Sequence, residues 1–298
     1  MLPQELTSKY VIPEVKGLIA HKLASKGVSQ FKISKLLGIS QPMVSKYLLE
    51  SPETYLRGLE EVGLNRDEVN TVADMLAELL INGRRLEFLR ILTSYMNLIL
   101  KRKTLCEKHF QLDPDIPRDC DICVKLFAVF EDPYVDDVKK AYELLALHPR
   151  GYELVPEVGM NIVSARPNAS TVNDVAGFTG RIVKVGKKVV AVSDPTLGGS
   201  KHTAEVLLTV MKKYRHYRAA VVVKYSEECV EKLTKLNHKV VKSGPHENPL
   251  KFFENLKAVV DSKEPEILAD LGGVGLEPVI YVFAGSAIEA VKKAFKCL

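Results

Sequence analysis

A chain of 298 residues, 46% hydrophobic and 27% charged, has the length for two or three domains, each with its own core. No apolar run approaches the roughly 18 residues of a membrane span, and the N-terminus lacks the basic-then-apolar plan of a secretion signal, so the expectation is a cytoplasmic protein without membrane contact. The formal net charge is +5; residues 1–49 hold seven lysines against two glutamates, a local excess that attracts polyanions through counterion release.

From Val15 to about Leu49 apolar residues recur at helical steps, with a break at Gly38. Within this stretch Ser34 is small where two helices would touch, and Gly38 permits a turn that a side chain would oppose. Ser40 is a good N-cap, and Pro42 falls in the first helical turn, where a missing N–H costs nothing. Ile33, Leu37, Ile39, Val44 and Leu48 can form a small core. Gln41, Ser45, Lys46 and Tyr47 are then expected to face outward, with Gln30 and Ser40 at the helix starts. Amide, hydroxyl and ammonium groups of this kind read base edges and grip phosphates. Residues 30 to 48 resemble the helix-turn-helix of the Cro/repressor (XRE-like) family, which implies binding to double-stranded DNA and, for a two-fold homodimer, a palindromic operator.

A second helical block is expected over residues 65 to 101, opened by Asn65 as N-cap with Asp67 and Glu68 in the first turn. Its apolar face, Val69, Met75, Leu79, Leu80, Leu86, Leu89, Leu92, Met96 and Ile99, suits either packing within one subunit or a dimer interface. Cys106 and His109, then Cys120 and Cys123, form two two-residue-spaced pairs across a loop with Pro114 and Pro117. An odd, clustered set of five cysteines argues against a disulfide framework, and this mixed thiolate and imidazole set suits a structural zinc better than other metals; merely buried cysteines are the bland alternative. A further helix is expected over residues 136 to 147, then a domain boundary at His148-Pro149-Arg150-Gly151.

Beyond that boundary short β-rich runs, at residues 180–185, 189–192, 219–225 and 279–283, alternate with helical stretches at 201–213, 227–236 and 286–295. The predicted architecture is multidomain: an all-α helix-turn-helix domain (1–60), a helical linker or dimerisation region (61–150) with a zinc knuckle at 104–125, and an α/β domain (151–298). Gly198, Gly199, Ser200 and His202 open a helix, and Asp270, Gly272, Gly273 and Gly275 form a second glycine-rich turn. Either could let backbone amides approach an anion, though most such turns are only turns.

The segments Val155-Pro156-Glu157-Val158-Gly159-Met160-Asn161-Ile162-Val163, Ala165-Arg166-Pro167, Asp174-Val175-Ala176-Gly177-Phe178, Gly180-Arg181-Ile182, Tyr225-Ser226-Glu227-Glu228 and Gly272-Gly273-Val274-Gly275 together resemble the archaeal-type thiamine-phosphate synthase domain over about residues 152 to 296. With the helix-turn-helix, the whole resembles archaeal thiamine-biosynthesis regulators. The resemblance implies an enzyme activity that joins hydroxymethylpyrimidine diphosphate to a thiazole phosphate and releases pyrophosphate, with Mg²⁺ as its ion. It makes Arg181 and His202 the matching catalytic positions. It also implies ligand contacts from Asn161, Arg166, Tyr225 and Ser226. Leu271, Leu276 and Glu205 stand where the family pattern carries basic residues, and losing cations beside a diphosphate harms catalysis more than binding of a monophosphate. The reading is therefore a DNA-binding regulator that senses thiamine phosphate; an active synthase carrying a DNA-binding domain, or a ligand-free oligomerisation scaffold, are its rivals.

Overall fold

The computed structural model describes residues 1–126 and 132–298, and the chain divides into two compact units, Met1–Ala128 and Val129–Leu298. The expected separation of residues 1–60 from 61–150 is not how the chain is built. The first sixty residues and the block after them share one core, while the helix before His148 belongs to the second unit.

The first unit is all helical: α1 (Pro3–Tyr10), α2 (Ile12–Ser25), α3 (Gln30–Leu37), α4 (Gln41–Leu49), α5 (Pro52–Glu61), α6 (Arg66–Ile81), α7 (Arg85–Lys101), α8 (Cys106–Leu112) and α9 (Ile122–Leu126). Its axis is α2, whose Val15, Leu18, Ile19, Ala20 and Leu23 are all buried. α1, α3, α4, α5 and α6 pack around it. Gly17 lets the Tyr55 ring of α5 lie against the α2 backbone, since a Cβ there would come within 2.8 Å of that ring. The block expected over 65 to 101 is two helices, because the chain turns at Asn82 and at Gly83, which takes φ +70°. Most of its apolar face is buried inside the unit; Leu86 and Leu89 are exposed. None of the described helices is long and apolar enough to cross a membrane.

The second unit contains α10 (Pro133–Leu147), β1 (Ile162–Ala165), β2 (Val175–Phe178), β3 (Ile182–Val185), β4 (Lys188–Ala191), β5 (Pro195–Leu197), α11 (Lys201–Met211), β6 (Ala219–Lys224), α12 (Glu227–Lys235), β7 (Val240–Ser243), α13 (Pro249–Ser262), β8 (Ile267–Asp270), β9 (Val279–Ala284) and α14 (Ala287–Ala294). Seven strands form one sheet in the order β5-β2-β1-β6-β9-β8-β7, with only β7 and β8 parallel; β3 and β4 pair as a separate hairpin. α10 and α14 lie on the face that carries Ser164. Asp137 of α10 accepts from Ser164 Oγ at 2.8 Å and from the Ala287 N–H at 2.7 Å, so one carboxylate ties α10 to the sheet and caps α14. Val138, Ala141 and Leu145 are fully buried in this interface, which is why α10 belongs to the second unit. The other face, with Val163 and Tyr281, is covered by α11 and α13. Against the expectation of no disulfide framework, Cys229 of α12 and Cys297 are joined by a disulfide that fastens the C-terminal turn to α12.

Candidate functional site

The register brings the ends of six strands to one edge of the sheet. Ile162 pairs with Val221, Lys224 with Val279, Val279 with Asp270, and Asp270 with Ser243. The start of β1 and β9 therefore meets the finish of β2, β6, β7 and β8, and the loops leaving these strands collect Asn161, Arg181, Tyr225, Ser226, His246 and Gly272. In such sheets the loops beyond the strand ends are where ligands bind, since side chains there need not fill the core.

The residues expected at the site have different fates. Asn161 is buried, and its amide is fully engaged: Oδ1 accepts from the Phe178 N–H at 3.0 Å, and Nδ2 donates to the carbonyls of Phe178 at 2.8 Å and Gly180 at 3.2 Å. It shapes the turn that delivers Arg181. Arg181 is half-exposed and donates to the Val158 carbonyl, in a loop also held by Glu277, whose carboxylate accepts from the Glu157 and Val158 N–H groups at 3.0 and 2.8 Å. Lys224 lies beside the same loop, 3.8 Å from Glu157. Gly198 and Gly199 carry the chain back over β2: a Cβ on Gly199 would come 2.1 Å from the Gly177 carbonyl oxygen. This close approach sets Ser200 beside Gly177 and starts α11 with no side-chain cap. His202 follows in the first turn. Its Nε2 is 3.0 Å from the hydroxyl of Tyr281, and Phe252 and Phe253 of α13 flank its ring at centroid distances of 5.2 and 5.5 Å. Burial pushes the Tyr281 phenol far up, so it remains a neutral hydrogen-bonding group opposite the imidazole.

Arg166 is a correction. It follows β1 at the opposite end of the sheet from Asn161, where its guanidinium pairs with Asp132 at 2.8 Å. Only the strand direction decides this, since four residues of β1 separate the two positions. Ser226 accepts from the Cys229 N–H at 3.1 Å and so acts as the cap of α12, while the Tyr225 hydroxyl donates to Glu227. Leu271 and Leu276, which replace expected cations, are half-buried, and Leu276 packs on the core.

Asp270 lies at the centre of a group the sequence did not reveal. It is buried, and its Oδ1 faces His246 Nε2 at 2.8 Å and the Gly272 N–H at 3.0 Å. On the far side of the ring the Asn255 amide nitrogen donates to His246 Nδ1 at 2.8 Å, which places the ring hydrogen on Nε2, toward the carboxylate. Burial raises the Asp270 pKa, opposed by the Gly272 N–H and by His246. The His246 N–H also donates to the Gly272 carbonyl at 2.7 Å. The two loops after β7 and β8 are thus locked together behind the glycines.

In the first unit α3 and α4 are joined by Gly38, Ile39 and Ser40. Gly38 takes φ +63°, and the Ser40 hydroxyl accepts from the Met43 N–H at 3.3 Å. Val44 is buried; Gln30, Ser40, Gln41 and Lys46 are exposed, and Ser45 is half-buried. Tyr47 does not face outward. It is 8% exposed, edge-on to Tyr55 with ring centroids 5.9 Å apart, and Tyr55 donates to its carbonyl at 2.8 Å; burial, then the charge of Glu14, raises its pKa. Arg85 at the start of α7 donates to the Leu36 carbonyl at 2.5 Å and so closes the end of α3.

The three cysteines at 106, 120 and 123 are reduced and half-buried, and burial pushes the Cys106 and Cys123 thiols up. His109 does not join them: its Nε2 sits 2.8 Å from the Met1 carbonyl oxygen. Among the described residues no group of three or more His, Cys, Asp or Glu side chains is arranged to hold a metal ion.

Comparison with known proteins bears on the second unit. A family model described as thiamine-phosphate synthase ThiN matches residues 137–296, from the first turns of α10 almost to the C-terminus. The chain belongs to the ThiN family. A bifunctional thiamine biosynthesis protein ThiDN of Methanocaldococcus jannaschii is 33% identical over 160 residues, which are 51% of this chain and 38% of that protein. The chain thus spans well under half the length of that relative. A thiamine-phosphate synthase ThiN of Methanothermobacter thermautotrophicus is 25% identical over 174 residues, 55% of this chain and 92% of that one. The crystal structure of the C-terminal domain of a phosphomethylpyrimidine kinase matches 56% of this chain and 98% of its own, with 32% identity and a TM-score of 0.48. The ThiN match begins at Asp137, the carboxylate that ties α10 to Ser164 and α14.

Proposed function

We propose that the ThiN-family unit binds thiamine phosphate at the sheet edge that carries Arg181, with His202 in the first turn of α11 and the Gly198–Gly199 turn setting where that helix starts, and that the first unit is a helix-turn-helix that binds duplex DNA, so that the chain is a thiamine-phosphate-responsive regulator. The observation that carries the DNA reading is the tight α3–α4 pair. Gly38 makes the turn, Ser40 caps α4, Val44 and Tyr47 anchor it, and Gln41 and Lys46 project from its exposed side. An amide and an ammonium on one exposed helix face match adenine edges and phosphates. Two copies on a two-fold axis place their α4 helices about 34 Å apart, one turn of B-DNA. Leu86 and Leu89, exposed on α7, are the residues we assign to that pairing.

Lys46→Ala is expected to weaken binding to every duplex and to lower the slope of log affinity against log salt by about one, whereas Gln41→Ala relaxes sequence preference without changing the slope. Anisotropy titrations at several salt concentrations measure both; unchanged slopes and preferences mean that α4 is not the DNA-contacting helix.

A second reading has its own support. Family membership and the names of both relatives speak more directly for a thiamine-phosphate synthase than for a regulator, and Arg181 and His202 are both retained. The Arg181 fork can hold a phosphate and His202 can donate to one. Incubation of the full chain with hydroxymethylpyrimidine diphosphate, thiazole phosphate and Mg²⁺ separates the readings. Turnover at a useful rate, lost in Arg181→Ala and His202→Ala, establishes the enzyme; binding of thiamine phosphate without turnover leaves the regulator.

We also propose a structural zinc on the Cys106, Cys120 and Cys123 thiolates, which requires the three thiols to close together from their described positions and His109 to leave the Met1 carbonyl if it is the fourth ligand. The expected result is about one zinc per chain after gentle purification; less than about half an equivalent contradicts it.

A further inference from the structure

Two apolar side chains stand in the middle of the polar surface assigned to DNA. In the first turn of α4, Pro42 is exposed and Met43 is 40% exposed, between Gln41 and Lys46. On α3 the exposed Lys32 and Lys35 complete a rim of ammonium groups. With Tyr47 turned into the core, the first two turns of α4 leave open to a groove one amide, one ammonium, a half-buried hydroxyl and this apolar pair; Leu49 is exposed at the far end of the helix.

Neither Pro42 nor Met43 can donate a hydrogen bond, and pressing them on a base-edge acceptor or amino group leaves that polar group desolvated and unpaired. The major-groove edges of the four bases carry one apolar feature, the 5-methyl of thymine. The surrounding lysines fix a polyanion as the occupant, and the apolar pair fixes which base edge it can present. We infer that Pro42 and Met43 read a thymine methyl, one base step from the adenine offered to Gln41. This rests on the DNA-binding reading and adds to it a stated base preference.

The test starts from duplexes selected by the full chain out of a random-sequence pool. Each thymine of the selected half-site is replaced in turn by deoxyuridine, which removes the methyl and nothing else. The expectation is one or two positions per half-site at which uracil weakens binding roughly four-fold, the worth of one buried methyl-sized group. Met43→Ala should abolish that sensitivity at the same position, and Met43→Leu, still apolar, should keep it. Because Met43 is exposed, unchanged melting of both variants is the control for folding. Uracil tolerated at every position, or sensitivity identical in wild type and Met43→Ala, overturns the inference while leaving DNA binding intact. Failure of the full chain to select any duplex overturns the DNA-binding reading itself, and this inference with it.

Discussion

Replacing His246 by alanine is expected to destabilise the second unit by about 3 kcal/mol, from a buried carboxyl left short of one hydrogen-bond partner and from the space the ring leaves. The imidazole is completely buried and the Asp270 side chain is 4% exposed, so no water replaces the lost partner. Asp270 would retain the Gly272 N–H, and the Asn255 amide would lose its acceptor. For a unit of this size the melting transition should fall by roughly 6–12 °C. Scanning calorimetry of the full chain measures it; a shift below about 2 °C shows that the pair does not hold the two loops together. Asp270→Asn is the informative companion. An amide can still accept from His246 and Gly272 but carries no charge into a site where burial already raises the carboxyl pKa, so it should cost less than His246→Ala.

The second large effect is expected at Gly199. An alanine there places its Cβ 2.1 Å from the Gly177 carbonyl oxygen and 3.0 Å from that of Thr196, both backbone atoms of paired strands that cannot swing aside. The turn must lift from β2, at a cost of about 2–3 kcal/mol, and the start of α11 moves with it. Affinity for thiamine phosphate should fall at least about ten-fold, since His202, in the first turn of α11, is carried away from its place at the proposed site. Gly186→Ala is the control. It sits at φ +59° in the β3–β4 turn with nothing within 4 Å of a Cβ, so it should lose only about 1 kcal/mol of conformational preference and bind ligand normally. Equal ligand affinity in the two variants removes the Gly198–Gly199 turn from the site.

What was legible in the sequence follows the range of the forces involved. The α3–α4 turn was readable because Gly38 and Ser40 act on their immediate neighbours. Tyr47 was misplaced because its orientation is set by Tyr55 on the next helix, a contact that helical spacing within α4 does not record. The break at Asn82–Gly83 was overlooked because apolar periodicity runs through it. In the second unit β1, β2 and β8 are four-residue strands buried on both faces, which leaves no alternation to detect. The boundary at His148 was a plausible break in character, yet the apolar face of α10 finds its partner in α14, about 150 residues downstream. His246 and Tyr281 carry no local signal: one sits in a turn, the other inside an apolar strand, and only strand pairing brings them to Asp270 and His202. The family itself was legible because the resemblance is written in short contiguous motifs such as Gly180-Arg181-Ile182 and Gly272-Gly273-Val274-Gly275.

The most direct measurement is the affinity of the full chain for a fluorescent duplex it has itself selected, at low ionic strength, with and without saturating thiamine phosphate. A sensor that biases a two-state dimer predicts at least about a five-fold change in Kd, in either direction, equivalent to a coupling of about 1 kcal/mol. An affinity that stays constant while calorimetry reports thiamine phosphate bound, or a chain that ignores duplex DNA under both conditions, contradicts the coupling of the two units.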